Sequence, residues 1–172
     1  MSGVRLLADT GVLNGEKMFS VKKVLLVSHG TDGAKAAEKA AFELCNEGVH
    51  LHHLIVVPTF WEGTTGDDWL QNGAVRNDFR RYLEGELGRE VDENFVRVGE
   101  AAVEKGLNYT NDMVVGEPDE ALLASCEQDK YDLVIMGSIR PKKISGLRSR
   151  MLKEKMIRKL KTPLLIVPYP DE

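Results

Sequence analysis

Residues 24–33 read VLLVSHGTDG, a buried strand running through a polar turn into a helix. Val24-Leu25-Leu26-Val27 is apolar at every position and rich in β-branched side chains. A strand covered on one face alternates, whereas a parallel strand covered by helices on both faces does not. Ser28-His29-Gly30-Thr31-Asp32-Gly33 then supplies turn residues, with Thr31 or Asp32 placed to cap a helix. The helix follows as AKAAEKAAFELCNE, residues 34–47, with Ala37, Ala41, Leu44 and Cys45 on one face and Gly48 as its stop. Leu51-His52-His53-Leu54-Ile55-Val56-Val57 is a second strand, ended by Pro58. Strand, helix and strand at this spacing form a right-handed βαβ unit.

The alternation continues to the carboxyl end. Residues 59–73, TFWEGTTGDDWLQNG, read as an irregular insertion carrying both tryptophans, Trp61 and Trp69. An apolar stripe of helical period runs from Val75 through Phe79, Tyr82, Leu83, Leu87, Val91, Phe95 and Val98 to Ala102. Gly85, Gly88 and Gly99 invite a bend or break in that helix. Residues 108–115 form a third strand of weaker pattern, and a helix over 118–129 begins with Pro118 at a tolerated position. Leu133–Met136 is the fourth strand, leaving through Gly137-Ser138. A basic helix over about 149–160 precedes the fifth strand, 162–167. Five strands alternating with four helices predict a doubly wound α/β sheet, which takes ligands where strand order reverses, at the carboxyl ends of the strands.

The chain has 172 residues, enough for one domain: an N-terminal arm at 1–21, then a domain over 22–170. The first residues lack the long apolar core of a signal peptide, and apolar runs are too short to span a membrane. A soluble, cytoplasmic protein is expected. Cys45 and Cys126 read as small core residues of a reducing compartment. The net charge of −4 is uneven. Residues 140–161 carry ten basic groups and one acidic, against 13 basic and 26 acidic in the other 150. Such a segment suits an anion or an acidic protein partner. Nucleic acid is disfavoured, because the chain is acidic overall and the basic segment lacks aromatic side chains for stacking.

No catalytic constellation emerges. No GxSxG surrounds Ser28, Thr31 or Ser138, and no GxxxxGK[ST] is present. His50 and His52 share a strand face while His53 points the other way. No Asp, Glu or Cys at useful spacing joins them, so a metal is not expected. The chain reads as a binding or regulatory module rather than an enzyme.

Four segments, in order and spacing, resemble the universal stress protein (UspA-like) family: KKVLLVSHGTDGAKAAEKAAFEL at 22–44, HLHHLIVV at 50–57, VVGEPDEALLASCEQDKYDLVIMGS at 114–138 and LKTPLLIVP at 160–168. The resemblance implies a Rossmann-like, five-stranded parallel sheet of order 3-2-1-4-5, helices on both faces, and a stress-associated regulatory role. It also implies a homodimer joined through the last strand, 163–169, whose apolar Leu164-Leu165-Ile166-Val167 would otherwise leave a bare sheet edge. ATP-binding members carry a glycine, two residues, a glycine, nine residues, a glycine and a hydroxyl residue, with an acidic residue after the first strand. Here those positions hold Gly137, Arg140, Arg150 and Met151, and the acidic position holds His29, followed by Gly30. Only Gly137 fits the loop, and methionine cannot offer a hydroxyl to phosphate. The candidate ligand positions are therefore His29, Gly30, Gly116, Gly137, Ser138, Arg140, Arg150 and Met151. Two functions follow as expectations. The first is a dimeric regulatory adaptor without cofactor. The alternative is a sensor binding ATP, another nucleotide or an anion at the Gly137/Arg140 loop.

Overall fold

A computed structural model describes residues 20–28, 31–57, 73–139 and 151–170; within these, the side chains of 73–84 and 87 are excepted. The chain runs β1 (Lys23–Val27), α1 (Asp32–Leu44), β2 (His50–Val57), α2 (Gly73–Glu104), β3 (Asn108–Val115), α3 (Pro118–Gln128), β4 (Leu133–Gly137), α4 (Glu154–Lys159) and β5 (Leu164–Val167). All four strand pairings are parallel, and the order is β3-β2-β1-β4-β5. The expected sheet is present. The expected arm, most of the tryptophan insertion and the residues His29, Gly30, Arg140 and Arg150 lie outside the described residues.

Alternate residues of β1 feed two cores, as a strand covered on both faces requires. Val24 and Leu26 join Ala37 and Ala41 of α1 and Val98 and Ala102 of α2 on one face. Leu25 and Val27 join Leu122 of α3 and Met156 of α4 on the other. These four residues of β1 are all buried. β3 and β5 form the edges, which explains the weak pattern of β3, where most side chains are exposed.

Several local expectations are corrected. Thr31 does cap α1, its hydroxyl accepting from the Ala34 N–H, but the helix ends at Leu44. Cys45 is already extended, and Gly48 serves the following turn with φ +84°, a conformation glycine adopts without strain. The three glycines do not end α2, which is one helix of 32 residues. Gly99 has a positive use there: a β-carbon would stand 3.0 Å from the Tyr109 ring, so its absence lets β3 pack close. The basic helix is much shorter than 149–160. α4 starts at Glu154, because Lys153 is extended and Met151 is drawn into the core beside Met136 and Leu122.

Candidate functional site

Strand order reverses between β1 and β4, so the crevice expected of such sheets opens at their carboxyl ends. Val27 pairs with Met136 there, and the next residues, Ser28 and Gly137, form its base.

Ser28 is held by every polar group it has. Its N–H donates to the Leu54 carbonyl at 3.3 Å. Its carbonyl accepts from His53 Nε2 at 3.0 Å, and its hydroxyl donates to Glu38. Glu38, Ser28 and His53 are all buried. Arg97 of α2 grips the Glu38 carboxylate with two nitrogens, at 2.7 and 3.0 Å. A buried carboxylate needs such a partner. Half of Arg97 remains at the surface, at 46% side-chain exposure.

His53 completes this network. Burial pushes its pKa down to about 4, so the ring is neutral near pH 7. A carbonyl can only accept, so the proton sits on Nε2 toward Ser28, and Nδ1 accepts from the Tyr109 hydroxyl at 2.9 Å. Phe95 meets the ring edge-on, centroids 5.2 Å apart. The exit of β1 is thus fixed by α1, α2, β2 and β3 together.

On the β4 side, the first turn of α1 lies directly on the strand end. A β-carbon on Gly137 would come within 2.2 Å of the Gly33 carbonyl oxygen. No other residue fits, so Gly137 is required by packing whatever the crevice binds. The Ser138 N–H donates to the Val167 carbonyl at 2.8 Å. The Tyr169 ring lies over Gly33, and its hydroxyl makes a long 3.4 Å hydrogen bond to Asp32 Oδ2.

The other described candidates lie apart from Gly137 and Ser138, Gly116 at the end of the edge strand β3 and Met151 in the core under α3 and α4. The Gly116 N–H donates to the Val57 carbonyl at 3.0 Å. Met151 is packed in the lower core, at 5% exposure. Two residues on, Lys153 binds Asp119 at 2.7 Å and Glu117 at 3.5 Å, tying the segment before α4 to the start of α3. That hydrogen bond from Lys153 holds the Asp119 carboxyl below its usual range. The structure therefore brings Gly137 and Ser138 together with α1, and leaves Gly116 at the end of β3 and Met151 in the α3–α4 core. The sequence reading overlooked Gly33, Glu38, Arg97 and Tyr169. Glu38 did leave a signal: it interrupts the stripe Ala34, Ala37, Ala41 at a position a helix buries.

Residues 20–168 match the universal stress protein family, nearly the whole described chain. The chain belongs to the universal stress protein family. A curated universal stress protein, MJ0531 of Methanocaldococcus jannaschii, is 23% identical over 94% of this chain and 89% of its own length. Among solved structures, hypothetical protein MJ0577 superposes with a TM-score of 0.68 at 20% identity, covering 88% of this chain and 99% of its own. A universal stress protein in complex with cAMP gives 0.56 at 19% identity, over 87% and 99% of the two chains. An Arabidopsis thaliana member with AMP bound gives 0.56 at 14% identity, over 87% and 92%. At these identities the likeness establishes the fold. No helix among the described residues is long and apolar enough to cross a membrane.

Proposed function

We propose that this universal stress protein is a non-catalytic sensor that binds an adenine nucleotide of the monophosphate class in the β1–β4 crevice. The observation that carries the reading is the preorganised crevice base. Ser28 is fixed through all its polar groups, and Gly137 is locked on the first turn of α1. A site held this rigidly loses little freedom when a ligand arrives. The AMP and cAMP found on two proteins of this fold supply the ligand class.

A triphosphate suits the chain less well. The position that offers a hydroxyl to phosphate in ATP-binding relatives is Met151, a thioether buried in the core. Lys153 nearby is engaged by Asp119 and Glu117. The arginines at 140 and 150 give the sequence positive charge for one phosphate without the glycines that wrap three. This favours the sensor over a nucleotide-free adaptor.

Native mass spectrometry of the purified protein, followed by calorimetry with AMP, cAMP and magnesium-ATP, tests the reading. The expected result is saturable binding of AMP or cAMP, tighter than ATP. Binding of none of the three would overturn it, and tighter binding of ATP would overturn the monophosphate preference.

Among the described residues β5 is hydrogen-bonded on one side only, by β4, and Ile166 on it is 40% exposed. We infer a second copy pairing along that edge, which would cover both bare strands and close the assembly.

A further inference from the structure

At the amino end of β2, away from the crevice, His50 and His52 occupy one strand face, as alternate residues do. That face meets Thr110 of β3, the register partner of His52. His50 Nε2 and His52 Nδ1 each lie 2.8 Å from Thr110 Oγ1. Two ring nitrogens from different residues thus converge on one oxygen. The hydroxyl has one proton, so it can donate to one ring only, and the other ring must donate to it. A neutral imidazole always keeps one bare nitrogen. Moving a ring proton to the outer nitrogen turns the second lone pair inward as well.

The surroundings favour a ligand from solvent. Both rings are half-buried and Thr110 is exposed on an edge strand. His52 stacks on Tyr131, centroids 5.9 Å apart and planes at 27°, which fixes the plane of its ring. Asp112 follows Thr110 on the same face and its negative charge acts on His52.

The geometry points to a metal site: His50 and His52 chelate one divalent transition-metal ion of the imidazole-preferring kind, with water completing the shell. Imidazole suits zinc, copper and nickel, whereas magnesium and calcium take oxygen ligands. Among the described residues no group of three or more His, Cys, Asp or Glu side chains is placed to hold a metal. The site is therefore open and exchangeable, unlike a closed four-ligand structural centre. Thr110 holds the two rings together in the free chain, and its exposed hydroxyl swings aside when an ion takes the point between the two nitrogens. Sequence alone hid this, because the residue that gathers the histidines comes from another strand.

Calorimetric titration of the metal-free full chain with zinc chloride tests the site. One ion per chain is expected, with His50→Ala and His52→Ala each weakening binding by at least the roughly 10-fold seen for lesser, outer-shell changes. Because His52 also packs on Tyr131, electron paramagnetic resonance of the copper-loaded wild-type chain gives a reading free of any folding defect. Coupling to two imidazole nitrogens is expected. Absence of zinc uptake, uptake that survives both substitutions, or a copper signal without two such nitrogens would overturn the proposal.

Discussion

A methyl group on Gly137 would stand 2.2 Å from the carbonyl oxygen of Gly33 and 2.5 Å from its carbonyl carbon. Both partners are backbone, so neither can swing aside, and α1 would have to lift from β4. Gly137→Ala is expected to cost about 3 kcal/mol or more, the upper end for overpacking. Gly33→Ala meets only the Tyr169 ring at 3.1 Å and the Ser138 carbonyl at 3.3 Å. The ring can turn, and alanine favours a helix over glycine by up to about 1 kcal/mol, so the loss there is about 1 kcal/mol or less. Urea unfolding of the two variants measures the difference. Equal losses would mean that the close approach is not the reason for the glycine.

Arg97→Met removes the bidentate partner and leaves the Glu38 carboxylate buried with Ser28 alone. Breaking a fully buried pair costs about 3–5 kcal/mol; because water reaches Arg97, about 1–3 kcal/mol is expected here. Glu38→Leu is milder, since the half-exposed guanidinium can turn to solvent. The double variant Glu38→Leu with Arg97→Met regains most of the loss of Arg97→Met. A double-mutant cycle on unfolding free energies checks this. Additive losses would contradict the pairing.

The Asp119–Lys153 contact predicts a pH dependence of definite sign. The folded pKa of Asp119 lies below the ordinary 3.8, chiefly through the Lys153 hydrogen bond. The unfolded chain therefore binds the proton first as pH falls. The stabilisation is present above the unfolded value and disappears as pH drops through the folded one. Wild type and Lys153→Met should differ in urea midpoint at neutral pH and converge in acid. A gap that stays constant from pH 7 through the acid range in which Asp119 titrates would show that this ion pair is not its source.

If a second copy seats on β5, Ile166→Asp should release it. The substitution places a charge on an exposed apolar residue of an edge strand without entering either core. Sedimentation equilibrium is expected to give twice the 19.2 kDa chain mass for wild type and the single mass for the variant. Wild type that remains at 19.2 kDa through high micromolar concentration, or a dimer that the substitution leaves intact, would exclude pairing at this edge.

The strands were legible where burial on both faces erased alternation: VLLV, LVIM and LLIV all fall within β1, β4 and β5. Strand order was not contained in that pattern and came with the family resemblance. The overlong basic helix shows the limit of local propensity. Residues just before α4 are suited to a helix, yet Met151 is buried in the core and Lys153 is extended and tied to Asp119, so the helix starts only at Glu154. The same limit governs the crevice. Gly137 could be read as a strand-exit glycine, but its need arises from Gly33, on a different element. Glu38 and Arg97 are 59 positions apart, and Thr110 lies on the strand beside its two histidines. Periodicity reports which face a residue occupies, and says nothing about who meets it there.

Tyr169 follows the end of β5 by two residues, and its ring rests on the first turn of α1. One side chain therefore stands between the open strand edge and the floor of the crevice. A second copy that draws on the tail would move or steady that ring, and so change the contact over Gly33 and Asp32. Linkage is reciprocal: whatever free energy assembly lends to the crevice, an occupant of the crevice returns to assembly in equal measure. If a second copy pairs along β5, that exchange runs in this chain through a single phenol ring.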